Sequence, residues 1–408
     1  MAPAFDRMPI LVFWISLGLL VYHQVGYPLA IRLCLALWPP RQEPNPAESG
    51  KDELPSVTVI VPAHNEAAVI AAKIRNLAAL HYPEDRLTCV VALDGCTDAT
   101  RPLAEAAIDE VRPRPVLLIE HQPNIGKVAV LNDHIGKAQS DIVALTDASA
   151  SVDPDALLKG AARFRDPSVG VVTGRYSITH AGGEGETAYW QYQSDVRSKE
   201  SALAGPMGAH GAFYLFRRAA WSPLPGDTIN DDFVLPMTIV ASGYRAIMEP
   251  AITAVELERT KSGQNFWRRV RIGAGNLQQV IRLARLADPR RGWVSFAFLS
   301  GKGLRGVLPF LLAALVVAIL WGAWQGRPGF LALIVFGILA AAAVLVCAAL
   351  PVGRRQWFRA GLYVLEGYAA ISLGALLLVL GQENKVWRLS KSFGRKASPE
   401  IGQGREPG

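Results

Sequence analysis

Hydrophobic positions crowd toward the two ends of the chain, and between those ends they recur with two different periods. Met8 to Trp38 reads MPILVFWISLGLLVYHQVGYPLAIRLCLALW, long enough as a helix to cross a hydrocarbon core of about 30 Å. Only Arg7 is basic among the residues just ahead of it, its apolar stretch is longer than a signal peptide's, and no small-x-small cleavage site precedes Pro39. The pattern therefore predicts an uncleaved anchor within residues 1–40. Two more apolar runs, Val307 to Trp321 and Phe330 to Leu350, flank GAWQGRPG and predict two helices joined by a short loop. A third, Leu362 to Leu380, carries Glu366 and several small residues. Crossing, re-entry and packing against the other helices all fit it.

Residues 41–54 are rich in proline and charge, a linker composition. Beyond them short β-branched runs alternate with helical spacing. Val57 to Val61 is a strand stopped by Pro62, and Ala67 to Leu80 has apolar residues at helical spacing. Leu87 to Leu93 and Val116 to Glu120 are further strands, followed by helices to about Glu110 and Gln139. The fourth strand, within Ser140 to Ser149, is apolar throughout and ends in Asp147, as expected of a strand buried on both faces. Strands joined by helices of this length require right-handed crossovers and a mostly parallel, doubly wound sheet. Ligands bind such sheets at the carboxyl ends of the strands. Polar residues collect there: Asn65 and Glu66, Asp94 and Asp98, Asn124 and Lys127, then Asp147. One acid at a strand end is usually a turn or cap residue. Its recurrence at successive tips predicts a single crevice.

After Asp147 the alternation loosens. Asp155 to Phe164 reads as a helix, Val169 to Thr173 as a strand and Glu184 to Ala202 as an amphipathic helix. Gly205 to Phe213 is a glycine-rich loop entering a strand, suited to close approach of backbone to a ligand. Asn230-Asp231-Asp232-Phe233 places two acids at a helix start, where caps are equally at home. Gln264 to Arg271 is basic and aromatic, as at a membrane interface.

Composition and charge sharpen this division. Half of the 408 residues are hydrophobic and mean hydropathy is +0.21, values a purely soluble chain would find hard to hide. The net charge of +7 is placed around the apolar runs: Arg282, Arg285, Arg290, Arg291, Lys302 and Arg305 precede the hairpin, and Arg354, Arg355 and Arg359 follow it. That placement predicts cytoplasmic hairpin ends rather than nucleic-acid binding. The basic tail, 385–408, prefers the cytoplasm too, in conflict with three full crossings after a cytoplasmic domain. Cys34, Cys89, Cys96 and Cys347 lack metal-ligand spacing and predict free thiols.

Five motifs in order, VPAHNE at 61–66, DGCTD at 94–98, NIGK at 124–127, TDAS at 146–149 and NDDF at 230–233, resemble those of the membrane-bound family 2 glycosyltransferases of bacterial polysaccharide and glycolipid synthesis. The likeness runs from about Val57 to Arg271. It implies an α/β, GT-A (Rossmann-like) mostly parallel sheet domain at 55–290, with transmembrane α-helices before it and at 291–384. It implies that Pro62, Ala63, Asn65 and Glu66 line a nucleoside pocket with Asp94, beside Asp98. Lys127 would lie near the nucleotide or brace Asp94. Asp147 holds the first position of the family's Asp-x-Asp metal motif, with Ser149 in the second. His210 and Gly211 would border the sugar and acceptor. Asp232 falls where the family keeps its catalytic base, with Asp231 before it. The Gln-x-x-Arg-Trp motif of processive synthases is absent from Arg268-Arg269-Val270-Arg271-Ile272, although Arg268 and Arg271 can still hold a diphosphate.

These implications combine into an inverting hexosyl- or N-acetylhexosaminyltransferase of the inner (cytoplasmic) membrane, multi-pass, with its catalytic domain in the cytoplasm. It would use a nucleotide sugar, a UDP-sugar first among donors, with Mg²⁺ or Mn²⁺ at Asp147, and a membrane-lipid or lipid-linked saccharide acceptor. A processive polysaccharide synthase shares the same domain. A nucleotidyltransferase would release pyrophosphate instead. A transporter or scaffold with a nucleotide-binding domain would be expected to carry GxxxxGK[ST], which is missing.

Overall fold

The computed structural model describes residues 2–39, 54–111, 116–178, 184–256, 262–350 and 356–382. The linker expected at 41–54, apart from Leu54, and the basic tail at 385–408 lie outside the described residues. In chain order the elements open with helices α1 (Ala2–Val21) and α2 (Tyr27–Leu37), joined without a break by a π-helical turn. Next come β1 (Val57–Ala63), α3 (Ile70–Ala78), β2 (Leu87–Asp94), α4 (Thr100–Glu110), β3 (Val116–His121), α5 (Lys127–Lys137) and β4 (Ile142–Leu145). Then follow β5 (Ala150–Val152), α6 (Ala156–Arg163), β6 (Val169–Ile178), α7 (Glu184–Ala204), β7 (Tyr214–Arg217), α8 (Asp231–Ala241) and β8 (Arg245–Glu256). The chain continues through α9 (Ser262–Arg282), α10 (Trp293–Ala297), α11 (Leu304–Trp324), α12 (Pro328–Ala349) and α13 (Gln356–Val379).

The strands form one sheet in the order β3-β2-β1-β4-β7-β6-β8-β5. β3, β2, β1 and β4 run parallel. β7 runs antiparallel to β4 and β6, and β5 antiparallel to β8. The first four strands are the predicted ones. β5 and β8 were not foreseen, because each pairs with a strand distant in sequence and neither has a strong local pattern. Strand order reverses where β4 is laid on the far side of β1 from β2, which is where a doubly wound sheet opens a crevice.

Burial explains why β1 and β4 are so apolar. Val57, Val59, Val61, Ile142 and Ala144 enter one core layer with Ile74, Leu77 and Leu157. Ile60, Val143 and Leu145 enter the opposite layer with Leu131, Ile135 and Ile239. Successive side chains point to opposite faces of a strand, so both faces are covered and neither tolerates a charge before the tip.

The chain divides into two compact units, one of Val21–Arg259 with Gln279–Leu304 and one of Met1–Leu20, Thr260–Gln278 and Arg305–Gly408. In the first, Tyr27 of α2 donates to Glu200 of α7 at 2.7 Å, a buried bond. In the second, Arg269 of α9 lies 3.6 Å from the ring centre of Tyr363 on α13 and donates to the Tyr363 carbonyl at 3.0 Å. Val270 and Ala370 are fully buried beside it.

Among the described residues four helical stretches are long and apolar enough to cross a membrane: Asp6–Leu37, Trp293–Trp324, Pro328–Ala348 and Gly361–Val379. The second begins well before the predicted Val307. Lys302 and Arg305 broke the hydropathy signal, yet the helix continues through them, and the Lys302 ammonium sits 4.7 Å from the Phe233 ring centre.

Candidate active site

Asp147 lies two residues past β4, at the shared carboxyl edge of the four parallel strands. Its amide donates to the carbonyl of Gly211 at 3.0 Å, which draws the loop ahead of β7 across the tip. A Cβ at Gly211 would stand 2.5 Å from Asp147 Oδ2, so any larger residue there would push the carboxylate aside. Behind them Thr146 donates to the Ala212 carbonyl at 2.6 Å. Lys73, on α3 and only 1% exposed, donates to Thr146 Oγ1 at 2.6 Å and to the Ala150 carbonyl at 2.7 Å.

Lys127 opens α5, and Asp231 and Asp232 open α8. The Lys127 ammonium stands 3.0 Å from Asp147 Oδ1 and 3.2 Å from Asp231 Oδ2. The Lys127 and Asp147 side chains stay about a third exposed, at 36% and 35%, while Asp231 keeps 14%. The cluster therefore faces solvent from one side. Burial works against the Lys127 charge, but Asp147, Asp231 and Asp232 outweigh it and raise the ammonium's pKa. Burial likewise opposes ionisation of Asp147, yet Lys127, helped by His210 and Lys73, holds its pKa below the ordinary carboxylate value. Asp231 goes the other way: burial, with Asp232 and Asp147 beside it, raises its pKa against the pull of Lys127. Asp147 and Asp231 share this ammonium, and Asp232 adds its field to theirs. A hard divalent cation takes such oxygen donors, so the residues present fit the metal that the sequence leads one to expect.

Tyr214 begins β7 beneath this cluster, 1% exposed. Its hydroxyl has no hydrogen-bond partner in the structure. Burial, then Asp231, Asp232 and Asp147, push its pKa well above the usual tyrosine value, so it stays an O–H donor.

The β1–β2 end of the crevice is built differently. Asp94 accepts at one oxygen from the Ile125 amide (2.7 Å) and at the other from the Gly126 amide (2.9 Å) and Asn124 Nδ2 (2.8 Å). A Cβ at Gly95, whose φ is +59°, would meet the Asn124 amide nitrogen at 2.5 Å. The DG pair is thus a seat for the NIG loop. His64 Nδ1 lies 2.6 Å from the Asp94 carbonyl. Asn65 adopts φ +59°, a conformation asparagine tolerates, and accepts from the Thr97 amide at 2.8 Å. Asp98 accepts from the Thr100 amide, the Thr100 hydroxyl and the Ala67 amide. Although partial burial acts to raise it, the Thr100 bonds lower its pKa. Pro62 and Ala63 close β1, and the Glu66 amide donates to Thr100 Oγ1 at 2.7 Å.

The structure thus gathers Lys127, Asp147, Asp231, Asp232 and His210 at one end and Asn65, Glu66, Asp94 and Asp98 at the other. Of the two places offered for Lys127, its ion pairs are with Asp147 and Asp231, and the bracing of Asp94 falls to Asn124, Ile125 and Gly126. His210 stacks on Tyr176, with ring centres 3.4 Å apart at 16°, and its Nδ1 accepts from the Ala212 amide at 3.2 Å. The Asp232 carbonyl accepts from the Ala209 amide at 2.9 Å, tying the glycine loop to the start of α8. Arg268 and Arg271 lie on α9 within the second unit.

Two residues here escaped the sequence reading. Lys73 interrupts the apolar stripe Ile70, Ile74, Leu77, all buried, and a lysine on such a stripe was a legible signal. Tyr214 gave none, because an aromatic in a strand is ordinary core.

The model of glycosyl transferase family 2 matches residues 58–222, and that of glycosyl transferase family group 2 matches residues 142–353. A beta-monoglucosyldiacylglycerol synthase of Nostoc is 30% identical over 214 residues, 49% of this chain and 46% of that protein. A probable glycosyltransferase of Bacillus subtilis, YdaM, is 27% identical over 66% of this chain and 67% of its own length. An N-acetylglucosaminyltransferase of Rhizobium meliloti is 27% identical over 63% of this chain and 60% of its own. The chain spans about half the length of the first curated relatives it matches. The solved structure of a mannosyltransferase from Pyrobaculum calidifontis, in complex with GDP-Man and Mn²⁺, is 26% identical, with a TM-score of 0.66 over 90% of this chain and 99% of that one. With just over half of its length inside the second family model, and with the carboxylate-lined edge of a GT-A sheet, the chain belongs to the family 2 glycosyltransferases.

Proposed function

We propose that this glycosyltransferase moves one hexosyl or N-acetylhexosaminyl unit, with inversion, from a nucleotide sugar to a membrane-lipid or lipid-linked acceptor. The observation that carries the reading is Lys127 bridging Asp147 and Asp231 at the strand tips, 3.0 and 3.2 Å away. An ammonium between two carboxylates marks a position that favours a cation and borders incoming phosphate. Asp147, with Ser149 and Asp231, would hold Mg²⁺ or Mn²⁺ there. Such an ion, when bound, neutralises the charge that develops on the departing diphosphate.

The chain's own groups supply the rest. Lys127 pairs with the phosphate oxygens once the carboxylates are otherwise engaged. Asn65, Glu66 and Asp94, with Pro62, Ala63 and Asp98, shape the nucleoside pocket. His210 and Gly211 border the sugar. Asp232 takes the acceptor hydroxyl proton during attack, a contribution of about 10² to 10⁴-fold. A single displacement inverts the anomeric centre and releases a nucleoside diphosphate.

The acceptor assignment rests on the four apolar helices and on relatives that include glucosyldiacylglycerol synthases. We place the protein in the inner membrane, multi-pass, with anchor 1–40, a cytoplasmic catalytic domain at 55–290 and membrane helices at 291–384. A UDP-sugar remains the first donor to test, followed by GDP-mannose, the ligand of the solved neighbour. Purified enzyme with Mn²⁺, each donor in turn and diacylglycerol or polyprenyl-linked acceptors should release nucleoside diphosphate and yield one added sugar. Long polymer would make it a processive synthase, and failure with every donor would overturn the reading.

A further inference from the structure

Away from the carboxylate cluster, β3 and α5 bring two imidazoles and a carboxylate together. His121 ends β3, and Asp133 and His134 lie on α5. The two Nε2 atoms face each other at 2.9 Å, with ring centres 5.1 Å apart at 81°. Asp133 Oδ2 stands 3.8 Å from His121 Nε2, and one ligand atom from each of the three residues lies within 4.8 Å of the others. His134 is 4% exposed, and the His121 side chain keeps 16%. His134 is thus buried, whereas His121 and Asp133 reach solvent.

We propose that His121, Asp133 and His134 form a second metal site, one that takes a divalent transition metal with Zn²⁺ first. Two neutral imidazoles and a carboxylate are a borderline-soft donor set, which suits Zn²⁺, whereas the all-oxygen cluster at Asp147 suits Mg²⁺ or Mn²⁺. With Zn–N bonds of about 2.0–2.1 Å at tetrahedral angles, two ligating nitrogens stand about 3.3 Å apart. The observed 2.9 Å is within a few tenths of an ångström of that spacing, and binding turns the two nitrogens from each other onto the ion. Asp133 Oδ2 also holds Lys137 at 2.7 Å, an i,i+4 pair whose lysine is 70% exposed. Such surface pairs are weak, so a cation displaces it readily, and water fills the fourth position. The consequence is local. Residues 121–127 run from this site through the loop that donates to Asp94 and end in Lys127. A cation clamping His121 to α5 closes both ends of that loop.

Zinc binding by untagged, chelator-stripped full-length protein tests the proposal, by isothermal titration and by the visible d–d bands of Co²⁺. We expect one equivalent of Zn²⁺ and tetrahedral-type Co²⁺ bands in the wild type and in Asp147→Ala. In His121→Asn and Asp133→Asn, side chains exposed enough to be replaced without emptying the core, affinity should fall at least 100-fold. His134→Asn should lose binding altogether if its circular dichroism matches the wild type. Absence of tight zinc in the wild type, or undiminished affinity in both His121→Asn and Asp133→Asn, overturns the site. The readout is zinc and not transfer, so its failure leaves the proposed activity standing, and loss of that activity leaves this site standing.

Discussion

At the β2 end of the crevice Asp94 commits both carboxylate oxygens to N–H groups of its own chain, whereas beyond β4 Asp147 and Asp231 share a single lysine. Both ends arise from the same topology, an acid following a buried strand, but they do different work. Asp94 is 4% exposed and its bonds hold the shape of the 124–126 loop. Asp147 keeps a third of its side chain open, and its one strong partner is a long, flexible cation that a ligand can replace. Carboxylates at strand tips thus divide into those fully engaged by the chain's own N–H groups and those that stay open to solvent. Their hydrogen bonds, more than their position, tell them apart.

Substitutions separate the two ends most sharply at the open one. Asp147→Ala should lower transfer about 10³-fold or more by removing charge stabilisation at the diphosphate, and Asp232→Asn by about 10² to 10⁴-fold in kcat with donor affinity kept. Steady-state kinetics alongside donor titration checks both. An active Asp232→Asn enzyme would send the search for the base back to Asp231. Lys127→Met should slow transfer on the order of 10²-fold, while Mn²⁺ binding without nucleotide tightens, because Asp147 and Asp231 lose the cation they share.

At the closed end the loss should register as stability. Asp94→Ala leaves two loop amides and Asn124 without their buried acceptor, at a cost of about 2–4 kcal/mol by urea denaturation. Unchanged stability would contradict the seat assigned to Asp94. Asp231→Asn should act in the opposite sense. Its raised pKa means that folding favours the protonated form, so any stability it contributes is present below the unfolded value near 3.9 and is lost as pH rises through the folded value. Replacing it should raise the melting temperature at pH 7, with the gain vanishing toward pH 4, while weakening metal-dependent donor binding. Asp147, with its lowered pKa, contributes stability above the unfolded value and loses it as pH falls through the folded one. Asp98→Ala is the smallest change, about 1 kcal/mol by the same denaturation from the lost bonds to Thr100 and Ala67, with a modest rise in KM for the donor.

Much of this is legible in the sequence. The apolar runs of β1 and β4 announce strands buried on both faces, and the acids at the ends of β2 and β4 mark the edge where the candidate site lies. What stayed hidden depends on partners far apart in the chain. Nothing local tells that Asp94 answers to Ile125 and Gly126, or that Lys127 turns to Asp147 and Asp231. β5 and β8 pair across a hundred residues, beyond the reach of periodicity. The apolar run from Val307 marks only part of the α10–α11 helix, because the helix carries Lys302 with its charge beside the Phe233 ring. Lys73 was visible as a lysine on an apolar stripe, although only the fold gives it Thr146 and Ala150 as acceptors.

On the proposed mechanism, metal and diphosphate come together at the position now held by the Lys127 ammonium, between Asp147 and Asp231. Mn²⁺ titration followed by electron paramagnetic resonance, with and without UDP or GDP, tests it on three proteins. The account predicts nucleotide-dependent Mn²⁺ binding in the wild type, nucleotide-independent binding in Lys127→Met and none at this site in Asp147→Ala. Mn²⁺ bound tightly by the nucleotide-free wild type, and equally by Asp147→Ala, would contradict it.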